Sequence, residues 1–313
     1  MSAGLLERLE DGVLLLDGGL GSLLIAMGLE SGRASEAWTA EEPERVVAAH
    51  RAYVEAGCDV LHTNTFGANP PKLAAAGLGG RCRELNAAAV ALARRAASGT
   101  TLVAGDVGPT GKLLPPVGDA SEELFLDAFR EQTAELASAG VDLISIETMY
   151  DLREALAAVE AARETGLPVM ASMTFEAKPR GHFTIMGDPL GESLGALAAA
   201  GAAVVGMNCS VVSGEMLAMV REASAALAHL RPSGATGVPL VAQPNAGKPR
   251  ATADGVVYDD ASPETFARDL AAMVEAGARL VGGCCGTDPE FIRRAREVLD
   301  EHSLDERRGR GAS

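Results

Sequence analysis

The feature that most restricts the fold is an alternation: short apolar runs bounded by turn residues are followed repeatedly by longer segments of helical period. Elements in that order build a parallel sheet from strand–helix units. Eight strands are expected, at residues 13–17, 60–66, 101–107, 143–147, 169–175, 204–209, 240–245 and 280–284. Helices are expected after them, near 43–56, 83–97, 121–139, 151–165, 190–200, 214–230, 263–276 and 289–301. Several helices run into a repeated phrase, such as Ala56-Gly57-Cys58-Asp59, Ala139-Gly140-Val141-Asp142 and Ala276-Gly277-Ala278-Arg279. A glycine just past a helix ends it before the next strand begins. Eight units in 313 residues fit a (β/α)8 TIM barrel. An open doubly wound sheet would call for a phosphate-binding loop after its first strand. Asp17-Gly18-Gly19-Leu20-Gly21-Ser22 is glycine-rich but lacks the G-x-G-x-x-G spacing.

With 47% hydrophobic residues and no Ser/Gly/Pro-rich linker or charge block, the chain reads as one barrel domain over residues 1–301. Residues 302–313 are charged and glycine-containing and are expected to be a disordered tail. The apolar runs are too short to cross a bilayer and no charged-then-apolar leader opens the chain, so a cytoplasmic protein without a membrane partner is expected. Five cysteines, an odd number, argue against a disulfide framework. A net charge of −16 opposes attraction to phosphate backbones, and 4% aromatic content leaves little to stack bases on. Nucleic acid is therefore not an expected partner.

The chemistry concentrates in Gly282-Gly283-Cys284-Cys285-Gly286, read together with Asn208-Cys209-Ser210. Three thiolates on one zinc leave its fourth tetrahedral position open, the arrangement of a zinc that does chemistry. Adjacent cysteines on a regular strand point to opposite faces, so both reach one ion only where the strand ends or kinks. The flanking glycines permit this, and Thr287-Asp288-Pro289-Glu290 reads as a capping box at the start of a helix. A buried Cys-Cys pair or a vicinal disulfide is the alternative. Cys58 and Cys82 lie in helical surroundings and read as core or surface thiols.

Polar residues gather at the expected strand ends: Asp17, Asn64, Asp106, Glu147, Cys209, Asn245 and Cys284. Each alone could be a cap or a turn residue. Together they describe the C-terminal mouth of a barrel, where such folds place their sites. The long loops 178–189 and 249–260 are expected to cover it. His62, inside its strand, reads as a core or barrel-wall histidine rather than a ligand, and His182, in the long fifth loop, is left open between a ligand and a solvated side chain.

In Asp17-Gly18-Gly19-Leu20-Gly21, Thr63-Asn64-Thr65-Phe66, Gly108-Pro109-Thr110, Ile146-Glu147-Thr148, Gly206-Met207-Asn208-Cys209, Gln243-Pro244-Asn245-Ala246-Gly247 and Gly282-Gly283-Cys284-Cys285-Gly286-Thr287, the chain resembles the homocysteine S-methyltransferase family over nearly its whole length. The Gln243–Gly247 phrase, Met173-Thr174-Phe175 and the segment from Tyr258 to Ala267 look closest to the homocysteine-binding domain of cobalamin-dependent methionine synthase. The resemblance implies a barrel with catalytic Zn2+ on Cys209, Cys284 and Cys285, and Asp17 and Glu147 where the amino-acid end of homocysteine is received; Gly18, Gly19, Asn64 and Asn245 complete the expected substrate site by their places at the mouth. In that reading homocysteine's sulfur fills the open zinc position, Asp17 and Glu147 hold its ammonium, and amides near Gly18 and Gly19 receive its carboxylate. Without substrate, Asn245 or a water takes the fourth position. The length leaves no room for folate, cobalamin or reactivation domains, so a methyl-corrinoid donor would arrive on a separate protein. The alternatives are a small-molecule donor, namely S-methylmethionine, S-adenosylmethionine or betaine, or a non-catalytic thiol- and zinc-binding accessory of a corrinoid pathway. A betaine enzyme would need an aromatic cage, for which one Trp, three Tyr and seven Phe are little material.

Overall fold

Twelve strands appear among the described residues, which are 4–228, 237–252, 255–259 and 262–310 of this computed structural model. They are β1 (Leu14–Leu15), β2 (Val60–His62), β3 (Leu102–Val107), β4 (Leu143–Met149), β5 (Val169–Met173), β6 (Glu176–Lys178), β7 (Gly181–Phe183), β8 (Val204–Val212), β9 (Leu240–Asn245), β10 (Lys248–Thr252), β11 (Gly255–Asp259) and β12 (Ala278–Val281). Eight of them form one parallel sheet in the order β1-β12-β9-β8-β5-β4-β3-β2. The two end strands meet through a single bridge, Leu16 to Val60, with Asp17 N–H donating to Val60 O at 3.1 Å. The sheet thus curls into the expected (β/α)8 barrel.

Alternation along the strands sorts their side chains into two cores. Leu14, Leu16, Val60, Leu102, Leu143, Met170, Val204 and Leu280 pack together inside the barrel. Leu5 and Leu9 of an N-terminal helix, Leu5–Asp11, join them and plug the end at which the strands begin. Leu15, Leu61, Val103, Ile144 and Val205 face outward into the larger core under the helices. Because both faces are covered, the strands read as unbroken apolar runs rather than alternating ones.

The outer ring consists of Pro43–Glu55, Cys82–Ala96, Glu122–Ala139, Leu152–Arg163, Leu190–Ala199, Ser213–Ala228, Pro263–Glu275 and Pro289–Arg310. The repeated glycine phrase works as expected at Gly140, whose φ of 92° closes the helix Glu122–Ala139. The expected helix 214–230 is seen to Ala228, its last residues lying outside the described ones. No helix among the described residues is long and apolar enough to cross a membrane.

Three differences bear on the site. Segments 178–189 and 249–260 are not plain loops, because β6 pairs antiparallel with β7 and β10 with β11; positions 253–254 and 260 lie outside the described residues. The last helix continues to Arg310, where a disordered tail was expected from His302. Residues 302–308 contain no glycine or proline and are rich in charged helix formers, so helix propensity there persists. Residues 311–313 lie outside the described set. Finally, β4 and β8 run past their expected ends at Glu147 and Cys209, through shifts of register between Ile146 and Met149 and between Asn208 and Val212.

Candidate metal centre

Those register shifts aim the site. An irregularity of this kind lets a strand continue while turning one side chain out of the regular alternation. Thr148, Cys209 and Ser210 take positive φ values of 61°, 59° and 61°, a region that costs a residue with a Cβ roughly 1–2 kcal/mol. Such strain persists only where surrounding contacts impose it. Here Asn208 imposes it: Nδ2 donates to Glu147 Oε2 (3.1 Å) and Thr148 Oγ1 (2.7 Å), while Oδ1 accepts from Thr148 N–H (2.8 Å) and Ser172 Oγ (2.9 Å). One amide thus binds the irregularity of β4 to that of β8.

The adjacent cysteines lie just beyond β12, in a loop tied to the end of β9. Cys284 N–H donates to Pro244 O (2.9 Å), Cys285 N–H to Asn245 Oδ1 (3.1 Å), and Ala246 N–H to Cys285 O (3.0 Å). Off the ladder, neighbouring side chains need not oppose each other. Cys285 Sγ stands 3.9 Å from both Cys209 Sγ and Cys284 Sγ, and all three sulfurs lie within 4.8 Å of one another. Two thiolates about 2.3 Å from one tetrahedral zinc stand about 3.8 Å apart, so the spacing fits that ion. All five cysteines are free thiols, and Cys58 and Cys82 are buried apart from this trio.

The protonation pattern also asks for a cation. Cys209 Sγ accepts hydrogen bonds from Cys284 and Cys285, which pulls the Cys209 thiol well down and pushes the other two up. Without metal the sulfurs share protons. A divalent ion replaces those protons and lets all three ionise, and soft thiolates favour zinc over magnesium or calcium.

The sulfurs open into a cleft of about 780 Å³ at the C-terminal ends of the strands. Gly18, Gly19, Asn64 and Glu147 line it together with all three cysteines. Burial raises the Glu147 carboxyl to about 7, although the charge on His62 pulls it down.

Several expected side chains are engaged within the protein. Asp17 is fully buried, and both its oxygens accept from His62: Oδ1 faces Nδ1 at 2.6 Å and Oδ2 takes the backbone N–H at 2.9 Å. His62 is the one that lines the cleft. Its burial would favour the neutral ring, but Asp17, with Asp106 and Glu147 behind it, raises the imidazole to about 10. The barrel-wall reading of His62 placed it correctly and missed this charged pair, because Asp17 becomes its neighbour only when the barrel closes. His182, left open by the sequence, has a side chain only 14% exposed that meets Glu222 at 2.6 Å.

The amide of Gly19, expected to receive a carboxylate, donates instead to Thr287 O (3.0 Å) and Thr287 Oγ1 (3.1 Å). The loops above neighbouring β1 and β12 pack directly on each other, which uses that donor internally. Asn64 Nδ2 donates to Ser35 O (2.7 Å) and Thr39 Oγ1 (3.1 Å), fixing the segment that flanks the cleft. Asn245 uses Oδ1 on Cys285 N–H, so it reaches a metal only by giving up that bond.

The family profile described as homocysteine S-methyltransferase matches residues 14–299. Methionine synthases from Mycobacterium leprae and Mycobacterium tuberculosis are each 32% identical to the chain, over 92% and 97% of its length. The chain spans about a quarter of those relatives, 24% and 26% respectively. Among solved structures, the metallated form of the homocysteine methyltransferase MmuM from Escherichia coli superposes with a TM-score of 0.76 at 28% identity, covering 93% of this chain and 99% of that one. Its oxidized form gives 0.74.

Proposed function

Since the chain belongs to the homocysteine S-methyltransferase family, we propose that it methylates the thiol of homocysteine to give methionine, with zinc on Cys209, Cys284 and Cys285 and a methyl-corrinoid on a separate protein as donor. The observation that carries the reading is the trio of sulfurs within 4.8 Å of one another on the wall of the cleft. Zinc bound there would supply the positive charge that deprotonates a substrate thiol at neutral pH. The protein's own residues do the rest. Asn208 holds Glu147 and the cysteine-bearing turn in fixed relation, and Glu147 receives the substrate ammonium. Asp17 acts from behind, through His62. The deprotonated sulfur then forms a bond to the methyl carbon, while the methyl–donor bond breaks with its electron pair going to the donor. No protein nucleophile is needed, and the enzyme's contribution is activation and positioning.

A second reading, a small sulfonium donor such as S-methylmethionine or S-adenosylmethionine, draws on the match that covers nearly all of the Escherichia coli methyltransferase. Betaine is disfavoured, since Phe66 is the only aromatic residue among the described ones lining the cleft. The free thiols suit a reducing compartment, and we place the protein in the cytoplasm.

A donor panel tests the proposal. Zinc-loaded protein and homocysteine are combined with methylcobalamin, free and on a corrinoid-binding protein, and with S-methylmethionine, S-adenosylmethionine and betaine, and methionine is followed by mass spectrometry. Methionine from the corrinoid protein, lost on chelation, is the expected result. Methionine only from a sulfonium would transfer the function to the second reading. No methionine from any donor would leave a non-catalytic thiol- and zinc-binding accessory.

A further inference from the structure

Tyr258, on β11, has no part in the mechanism above and is not among the residues that line the cleft. It nevertheless reaches the metal centre. In the antiparallel pair of β10 and β11 it lies opposite Pro249, and β10 begins just past Ala246, whose N–H holds Cys285 O at 3.0 Å. The hairpin therefore grows out of the segment that already grips the cysteine loop. The half-buried ring lies against Gly286, where an added Cβ would stand 2.4 Å from Cδ2 and 2.5 Å from Cγ of Tyr258. Gly286 also has a φ of 79°, so ring and backbone both call for glycine there. With the ring fixed in this way, the hydroxyl is hydrogen-bonded to Cys285 Sγ.

The phenol is the donor in that bond. Burial first, then the charge of Cys285 and the hydrogen bond to it, push the phenol well above its ordinary range, so it keeps its proton. A hydrogen bond to a thiolate engages the lone pair that would otherwise attack carbon, which makes the sulfur a poorer nucleophile. That difference matters at a centre where three cysteine sulfurs would share one ion with the sulfur of the substrate. All are thiolates, and a methyl group delivered into the cleft meets Cys285 as well, because Cys285 lines it. A substrate in the cleft lies apart from Tyr258, so its sulfur keeps the lone pair that Cys285 shares with the hydroxyl.

We propose that Tyr258 is a positioning residue that acts through Cys285: its hydroxyl stays on the Cys285 thiolate when zinc is bound and directs methylation to the substrate's sulfur instead of the protein's. This rests on the functional reading above, which supplies the zinc and the methyl transfer. In the step that Tyr258 suppresses, Cys285 Sγ forms a bond to the methyl carbon and the donor leaves with the electron pair of the broken bond. The cysteine becomes a neutral thioether and is spent as a thiolate ligand.

Methyl iodide, a donor that needs no partner protein, tests this on the wild type and Tyr258→Phe, both held in excess zinc without homocysteine. Methylation of each cysteine is followed by peptide mass spectrometry. Tyr258→Phe keeps the ring on Gly286 and removes only the hydroxyl. Methylation of Cys285 should rise roughly tenfold, the scale of one hydrogen bond to a charged group, while Cys209 and Cys284 change less than about twofold. A tyrosine that merely supported the loop would loosen all three sulfurs together. A second measurement reads the sulfur directly: in cobalt-substituted protein, the sulfur-to-metal charge-transfer band should move to longer wavelength in Tyr258→Phe, because a thiolate relieved of its donor gives up charge more readily. An equal rise at all three cysteines, or an unchanged Cys285 rate with an unmoved band, would overturn the assignment while leaving the functional reading intact. A wild-type protein that binds no zinc would overturn both.

Discussion

Asn208 carries more of the site than any cysteine does alone. Its amide satisfies Glu147, Thr148 and Ser172 at once and approaches Cys284 Sγ at 4.0 Å, while its backbone leads directly into the left-handed Cys209. Removing it leaves the Thr148 N–H without its acceptor and lets two strained turns relax independently. Partners that orient metal ligands typically matter by 10–100-fold in affinity. We therefore expect Asn208→Ala to weaken zinc by about that factor and to destabilise the fold by about 1–3 kcal/mol, read by chelator competition and urea unfolding. Cys209→Ala, Cys284→Ala and Cys285→Ala should each lose stoichiometric zinc, and Cys58→Ala should retain it. Wild-type zinc affinity in Asn208→Ala would show that the cysteine turn holds its shape unaided.

At the level of elements, the hydrophobic runs named the strands, and β9 falls where the pattern puts it. The convergence of Cys209, Cys284 and Cys285 was legible too, because glycines crowd the adjacent pair and two strand ends bring the thiols to one mouth. What the pattern could not show is that β4 and β8 continue beyond Glu147 and Cys209. The turn at those positions is made by Thr148, Cys209 and Ser210 in a backbone region normally left to glycine, and no local rule of propensity predicts that. His62 was placed on the barrel wall and Asp106 at the mouth, but their surroundings were illegible for another reason. Their meaning lies in a partner 45 residues away in one case and in the lack of any partner in the other. The loop above β1 was legible as glycine-rich but not as to its neighbour. A Cβ on Gly19 would stand 2.4 Å from Cys284 O and 2.6 Å from Ser22 Oγ, whereas one on Gly21 meets nothing within 4 Å. Gly19→Ala should therefore cost about 1–3 kcal/mol by overpacking and weaken zinc by displacing Cys284. Gly21→Ala, inside the helix Leu20–Ala26, should be neutral or stabilise by up to about 1 kcal/mol. Thermal melts and zinc competition on the pair check this, and equal behaviour of the two variants would remove the packing argument.

Across the whole molecule, the weakest seam of the barrel lies between β1 and β2, joined by one bridged pair. Charged side chains reinforce it at both ends. Near the start of the strands, Asp59 accepts from Leu15 N–H (2.9 Å) and pairs with Arg8 (2.6 Å) and Arg296 (3.0 Å). Near the mouth, the buried Asp17–His62 pair closes the seam, and His62 reaches on to Ser145 Oγ of β4 at 3.0 Å. The imidazole stays protonated in the folded state up to about pH 10, but in the unfolded chain only to about 6.5. Its contribution to stability is therefore fully present below pH 6.5 and is lost as pH rises from there through 10. His62→Gln cannot form the charged pair. The difference in unfolding free energy between the wild type and this variant, measured with urea on metal-free, reduced protein, should shrink steadily from pH 6.5 to 10. The cysteines titrate in both proteins and largely cancel in that difference, and a shared Asp106→Asn, Glu147→Gln background removes the two carboxyls that the His62 charge itself lowers. A gap that stays constant across the range would mean that the ring supports the seam by shape and neutral hydrogen bonding alone.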